Sequence, residues 1–198
     1  MPRTSLALGL VILLGTLLSA QEKSEKAGKK AEISDAAYTA QTLQAAPRSV
    51  AKDAGVIRMG KDGKMRSLRE SKNGFTCMMI ESNKMCSDAN SMAFFEAMMK
   101  GEPPTEKLGI SYMLAGDKGA SNTDPKAEKK TADNHWVVTG QHLMITGAAV
   151  KSMGLPDTAD PDPTKPYLMW VGTPYAHAMV PVGSVSTAAA PKPASGKQ

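Results

Sequence analysis

Between residues 33 and 183 the apolar positions fall into short runs separated by turn-forming residues, with one longer amphipathic segment after Cys86. The short runs have the length of strands; the longer segment has the period of a helix. Ser87 or Asp88 can cap that helix by accepting a bond from an orphan backbone N–H. Met92, Phe95 and Met99 recur at helical spacing, and Phe94 and Met98 widen the same side, so the pattern predicts a helix lying on a core. Lys100 suits its negative end, Gly101 can take the left-handed cap, and Pro103-Pro104 prevents continuation. A second helix is predicted from Asp35 to Ala46, with an apolar side made mostly of alanine and therefore light packing, and a further helical turn near Ser49 to Ala54.

Among the short runs, Val56 to Met59 and Lys64 to Arg69 read as a hairpin across Lys61-Asp62-Gly63, whose Asp-Gly pair supplies positive φ. Phe75 to Ile80 is a strand after the Asn73-Gly74 turn, and Glu81 to Lys84 is a polar surface loop. Lys107 to Leu114 alternates strictly, which predicts Leu108, Ile110, Tyr112 and Leu114 on one face and Gly109, Ser111 and Met113 on the other. Trp136 to Thr139 and His142 to Thr146 form two short strands around Gly140. Tyr167 to Val171 is another, and Tyr175 to Val182 carries Pro181, which suggests an edge position. A polar loop of nineteen residues, 116–134, and an extended linker with four prolines, Pro156 to Pro166, complete the chain. Many short strands with one or two packed helices imply the α+β class: a single small domain with a mostly antiparallel, short-stranded sheet.

The ends read differently. Residues 1–20 carry Arg3, an apolar stretch from Leu6 to Leu18 and the small pair Ser19-Ala20, the pattern of a secretory signal peptide cleaved near Gln21. Residues 21–32 are a charged, disordered linker and residues 184–198 a small, polar, proline-bearing tail, leaving residues 33–183 as the domain. The expectation is an exported protein, periplasmic or extracellular, with no membrane span once the signal is removed.

Stripping the ends also changes the meaning of the charge. The whole chain is +5, but residues 33–183 hold 17 basic and 16 acidic side chains. The one basic stretch, Arg48 to Lys72, reads as a solvated face, and no nucleic-acid partner is expected. Two cysteines in an oxidising compartment imply a disulfide, Cys77 to Cys86.

Methionine is the unusual component, at fourteen residues against 5% aromatics. It can fill an irregular core, or its thioethers can bind a soft metal such as Cu(I). Met78, Met79 and Met85 beside the cysteines are the candidate thioether ligands. The three histidines, His135, His142 and His177, are candidate copper or zinc ligands. In a zinc hydrolase Asp133 or Glu128 would act as general base. Trp136, Tyr167, Trp170 and Tyr175 are candidate walls of a ligand cleft. No serine-nucleophile elbow, phosphate loop or dinucleotide turn is present.

The segments NGFTCM, SYMLAGDKGASNTDP, DNHWVVTGQHLMI and PDPTKPYLMWVGTPYAHAMVPV together resemble a group of uncharacterised exported bacterial proteins, over roughly Val50 to Val182. The resemblance implies secretion and a single domain, and it carries no activity to transfer. The sequence therefore predicts non-catalytic binding of a small molecule or an envelope protein, without a cofactor. A periplasmic copper-binding protein is the alternative, and a metal-dependent hydrolase the second alternative.

Overall fold

The computed structural model describes residues 32–183. The expected signal peptide, the charged segment to residue 31 and the tail from residue 184 lie outside the described residues.

Helix α1 (Asp35–Thr42) runs into a 3-10 turn (Leu43–Ala45), and α2 (Arg48–Ala51) follows Pro47. Then come β1 (Gly55–Met59), β2 (Met65–Arg69), β3 (Thr76–Ile80), β4 (Asn83–Ser87) and helix α3 (Ala89–Lys100). The rest of the chain supplies β5 (Gly109–Met113), β6 (Ala120–Ser121), β7 (Trp136–Val137), β8 (His142–Thr146), a 3-10 turn (Ala148–Met153), β9 (Tyr167–Met169) and β10 (His177–Pro181). Eight strands make one sheet in the order β2-β1-β3-β4-β5-β8-β10-β9, antiparallel except for β1 beside β3, while β6 and β7 pair separately. The α+β expectation holds, with a sheet larger than the small domain predicted.

Each face of this sheet is covered by different material. Tyr38, Ala45, Ala51, Val56, Cys77 and Cys86 form a buried cluster under α1 and its following turns. Alanine lets the helix backbone come close, and Tyr38 reaches through: its hydroxyl donates to the Ile57 carbonyl (3.1 Å) and accepts from the Met79 amide (2.9 Å). On the opposite face, Met78, Met85, Met113, Met144, Tyr167, Met169 and Met179 cluster under α3 and the chain around β6 and β7.

The β1–β2 hairpin forms as expected, with Gly63 at φ 74° and the Asp62 carboxylate accepting from the Lys64 amide. Its basic side chains are engaged with the fold: Arg58 and Arg66 both bond Asp35, and Arg69 bonds the Ala51 and Ala54 carbonyls. Helix α3 is capped by Asp88, which accepts from the Ser91 amide, and ends on Gly101 at φ 70°. Its buried line is Ser91–Phe94, flanked by Met92, Phe95 and Met98; Met99, placed by the pattern on the core side, is 68% exposed.

Three local expectations are corrected. Glu81–Lys84 is not a surface loop: Ile80 pairs with Asn83 across a two-residue turn, so Cys77 lies directly opposite Cys86 on neighbouring strands. Their sulfurs are bonded, and a loop this short is worth about 2–3 kcal/mol in the entropic account. In β5 the two expected faces form, and the inner one is Gly109, Ser111 and Met113, while Leu108 and Ile110 are 51% and 41% exposed. The cause is α3. A Cβ on Gly109 would collide with the Ser91 backbone, and Ser111 joins Ser87 and Ser91 in a buried hydroxyl cluster with both bonds at 2.6 Å. A small residue and a hydroxyl therefore mark where the helix presses on the sheet.

The strand expected at Trp136–Thr139 is shorter, Trp136–Val137, and it pairs with Ala120–Ser121, a strand inside the expected long loop. Finally, β10 is not an edge strand, since β8 and β9 flank it. β9 reaches only His177 to Met179, so Pro181, with no N–H to donate, falls beyond its pairing.

Candidate functional site: a methionine-lined cavity

Register builds the site. In an antiparallel pair, residues directly opposite share a face, as do i and i+2 on one strand. Met144 faces Met179, Met113 faces His142, and Met169 faces His177. The β5, β8, β10 and β9 strands thus present one continuous floor of thioethers and imidazoles. Above it, α3 contributes Phe95 and Met98, the β3–β4 turn contributes Ile80 and Glu81, and the chain around β6 and β7 contributes Gly119, Pro125, Glu128 and Trp136. These walls enclose a cavity of ≈ 270 Å³ that is predominantly apolar. Six methionines line it: Met85, Met98, Met113, Met144, Met169 and Met179.

Both histidines of the floor are neutral donors with a fixed tautomer. His142 Nδ1 lies 2.8 Å from the Gly140 carbonyl and His177 Nδ1 3.2 Å from the Tyr175 carbonyl. A carbonyl only accepts, so Nδ1 carries the hydrogen in each ring and Nε2 keeps its lone pair. Burial holds His142 below the usual histidine range, against the opposing pull of the Gly140 carbonyl and the Asp117 carboxylate. Burial likewise lowers His177 to about 4, against the opposing pull of the Tyr175 carbonyl. Asp117 fixes the turn that sets the His142 tautomer, because its carboxylate accepts from the Thr139 and Gly140 amides at 3.2 and 3.1 Å.

Trp170 is held in an uncommon backbone conformation. Its φ is 59°, in the left-handed region that bulky residues avoid. Its amide donates to the Asn122 carbonyl at 2.7 Å, and its own carbonyl accepts from the Thr173 amide and hydroxyl. The ring thereby meets His177 edge to face, with centroids 4.6 Å apart. Glu81 (φ 55°) also lines the cavity, and His135 (φ 49°) precedes the lining Trp136, so the three non-glycine residues at positive φ among the described residues lie at or next to this site. Such conformations concentrate where surrounding structure imposes them, commonly at ligand sites.

Two buried polar atoms of the lining residues have no partner: His142 Nε2, an acceptor, and the Trp170 indole N–H, a donor. No lysine or arginine lines the cavity among the described residues, whereas Glu81, Asp117 and Glu128 do. The wall is electron-rich throughout.

Of the residues expected at a site, His142, His177, Met85, Glu128, Trp136 and Trp170 line this cavity. His135 does not; it bonds Asp160 at 3.0 Å, so the three histidines do not assemble. Met78 is buried in the floor cluster without lining the cavity, and Met79 packs on the opposite face near Tyr38. Tyr167 is buried with its hydroxyl 2.6 Å from Thr139 Oγ1, and burial raises its phenol. Tyr175 donates to the Glu102 carbonyl and meets Phe94 edge to face. Neither tyrosine forms the cleft wall.

Among the described residues no group of three or more His, Cys, Asp or Glu side chains is placed to hold a metal, and no helix is long and apolar enough to cross a membrane. Sequence reading passed over Asp117, Asn122 and the paired segments His142-Leu-Met144 and His177-Ala-Met179. Their period-two spacing was the available signal. No known protein family matches the chain, and no curated protein or solved structure is significantly similar to it.

Proposed function

We propose that this is an exported, non-catalytic binding protein whose methionine-lined cavity takes one small, electron-poor ligand. The observation carrying the reading is the cavity itself, ≈ 270 Å³ and predominantly apolar, lined by six methionines, Trp136, Trp170, His142 and His177. The carboxylates and the absence of basic lining residues disfavour anions. Thioethers, aromatic faces and neutral imidazoles favour a cation or an electron-poor ring. A partner protein fits less well, because most of the methionines that line the cavity are buried and not part of an exposed surface.

Native mass spectrometry of the protein isolated from its own source tests this, together with thermal shift titrations using indole and benzyltrimethylammonium. One bound equivalent, or a concentration-dependent rise in Tm that Met179→Trp abolishes by filling the cavity, is expected. No bound mass and a flat Tm with both probes would sink the reading.

A further inference from the structure

The charge of the ligand can be read from the mouth of the cavity, on the footing that the cavity is the binding site proposed above. Its floor, Met113, Met144, Met169 and Met179, is buried, whereas the lining residues Ile80, Glu81 and Glu128 are exposed and mark where it opens to solvent. Glu81 is the first residue of the two-residue β3–β4 turn and has φ 55°. A turn that needs positive φ at this place takes glycine, asparagine or aspartate by preference, because a longer side chain is strained there. The turn therefore gains nothing from glutamate, and the residue held at that cost lines the cavity. Neither the Glu81 nor the Glu128 carboxylate has a hydrogen-bond or ion-pair partner among the described residues.

Asp117 adds a third carboxylate to the lining, and no lysine or arginine among the described residues offsets the three there. Burial keeps His142 and His177 uncharged at neutral pH, so the lining is net negative around an apolar interior. A hard metal ion does not match it. Such an ion needs about six to eight oxygen donors converging on one point, and no group of acidic, histidine or cysteine side chains among the described residues is placed to hold one. A neutral ring would leave the carboxylates unmatched. A cation whose charge is spread over an alkyl or aryl body matches both parts, with its apolar surface on the thioethers and on Trp136 and Trp170. We propose that the cavity takes a monovalent organic cation, an alkyl- or arylammonium, whose charge is received at the mouth by Glu81 and Glu128. Trp136 is fixed beside them by its indole N–H, which donates to the Lys118 carbonyl at 3.2 Å.

The test is calorimetric titration of the mature, disulfide-intact protein with benzyltrimethylammonium, and with indole as an uncharged aromatic. One equivalent of the cation should bind, more tightly than indole, and raised salt should weaken the cation alone. Glu81→Gln and Glu128→Gln should each lower the cation's affinity by about threefold, and the double variant by about tenfold. Glu70→Gln, the same loss of charge on a residue that does not line the cavity, should leave it unchanged. Glu81→Gly should weaken the cation as Glu81→Gln does while holding or raising Tm, since glycine relieves the turn. A cation affinity untouched by the double variant, indole bound more tightly than the cation, or a Tm lowered by Glu81→Gly overturns the proposal. Indole binding without the cation refutes the charge assignment but keeps the cavity as a small-molecule site. Binding of neither probe refutes both.

Discussion

On the α1 face of the sheet the Tyr38 hydroxyl both gives and receives a hydrogen bond, its ring lies under the Arg58 guanidinium at 4.8 Å, and the two cysteines are joined. On the α3 face, His142 Nε2, Trp170 Nε1, Thr146 Oγ1 and the nearby Asn122 Oδ1 are buried without partners. The same eight strands carry both surfaces. The first is closed by small side chains and satisfied bonds; the second is floored by flexible thioethers and leaves polar atoms over. The closed face has its polar atoms satisfied, and the other is the one to which the ligand is proposed to bind.

Breaking the closed face should give the largest effect on folding and little on ligand. Tyr38→Ala removes a buried ring and both hydroxyl bonds, and should cost about 3–5 kcal/mol by urea denaturation. Ligand stoichiometry in the fraction that stays folded should be unchanged. Equal loss of ligand and stability would show that the two faces are not separable.

The converse variant is Asn122→Ala. Asn122 is fully buried; its side-chain amide donates to the Thr158 and Ala159 carbonyls at 2.8 and 3.1 Å, and its backbone carbonyl receives the Trp170 amide. It ties the β6–β7 pair to the proline-rich segment and to the cavity wall. Truncation should cost about 1–3 kcal/mol in stability but weaken ligand binding disproportionately, read by calorimetry on the folded variant. A ligand affinity left at the wild-type value would remove Asn122 from the account of the site.

The smallest effect concerns the exposed ion cluster that ties α1 to the hairpin. The Arg66 guanidinium, followed by Arg58, holds the Asp35 carboxyl below the usual carboxylate range. A carboxylate lowered in the folded state binds its proton more readily when unfolded. Its contribution is therefore complete above the ordinary value near 3.8 and is lost as pH falls through the lower folded value. Asp35→Asn should slightly flatten the stability profile below pH 4 and leave ligand binding at neutral pH untouched, measured by denaturation at stepped pH. An effect on binding would mean that the hairpin communicates with the cavity.

The elements carried by local chemistry were legible in the sequence. Asp88 and Gly101 bound α3, Asp62-Gly63 turns the first hairpin, and the cysteine pair was readable from compartment and count. What was not legible depends on which face of a strand another element covers. Strict alternation in β5 identified two faces but could not say which was inner, because the choice is made by the approach of Ser91 to Gly109. For the cavity, His142, His177, Trp136 and Trp170 were readable as chemistry-bearing residues, whereas their grouping required the register between β8 and β10. The left-handed Trp170 follows from a bond to Asn122, forty-eight positions earlier, and no local pattern encodes it.

Chain order gives the site a place in time. The strands from β1 to β5 come from residues 55–113 and neighbour one another with short connections, so the α1 face can close while the C-terminal part is still unplaced. The cavity needs β8 to dock on β5 and then β10, the last strand, to pass between β8 and β9. A nascent chain ending before His177 has its disulfide partners and no binding wall. A ligand of this cavity consequently recognises only the finished product. It should retard the departure of β10 during unfolding and leave the speed of early collapse unaltered.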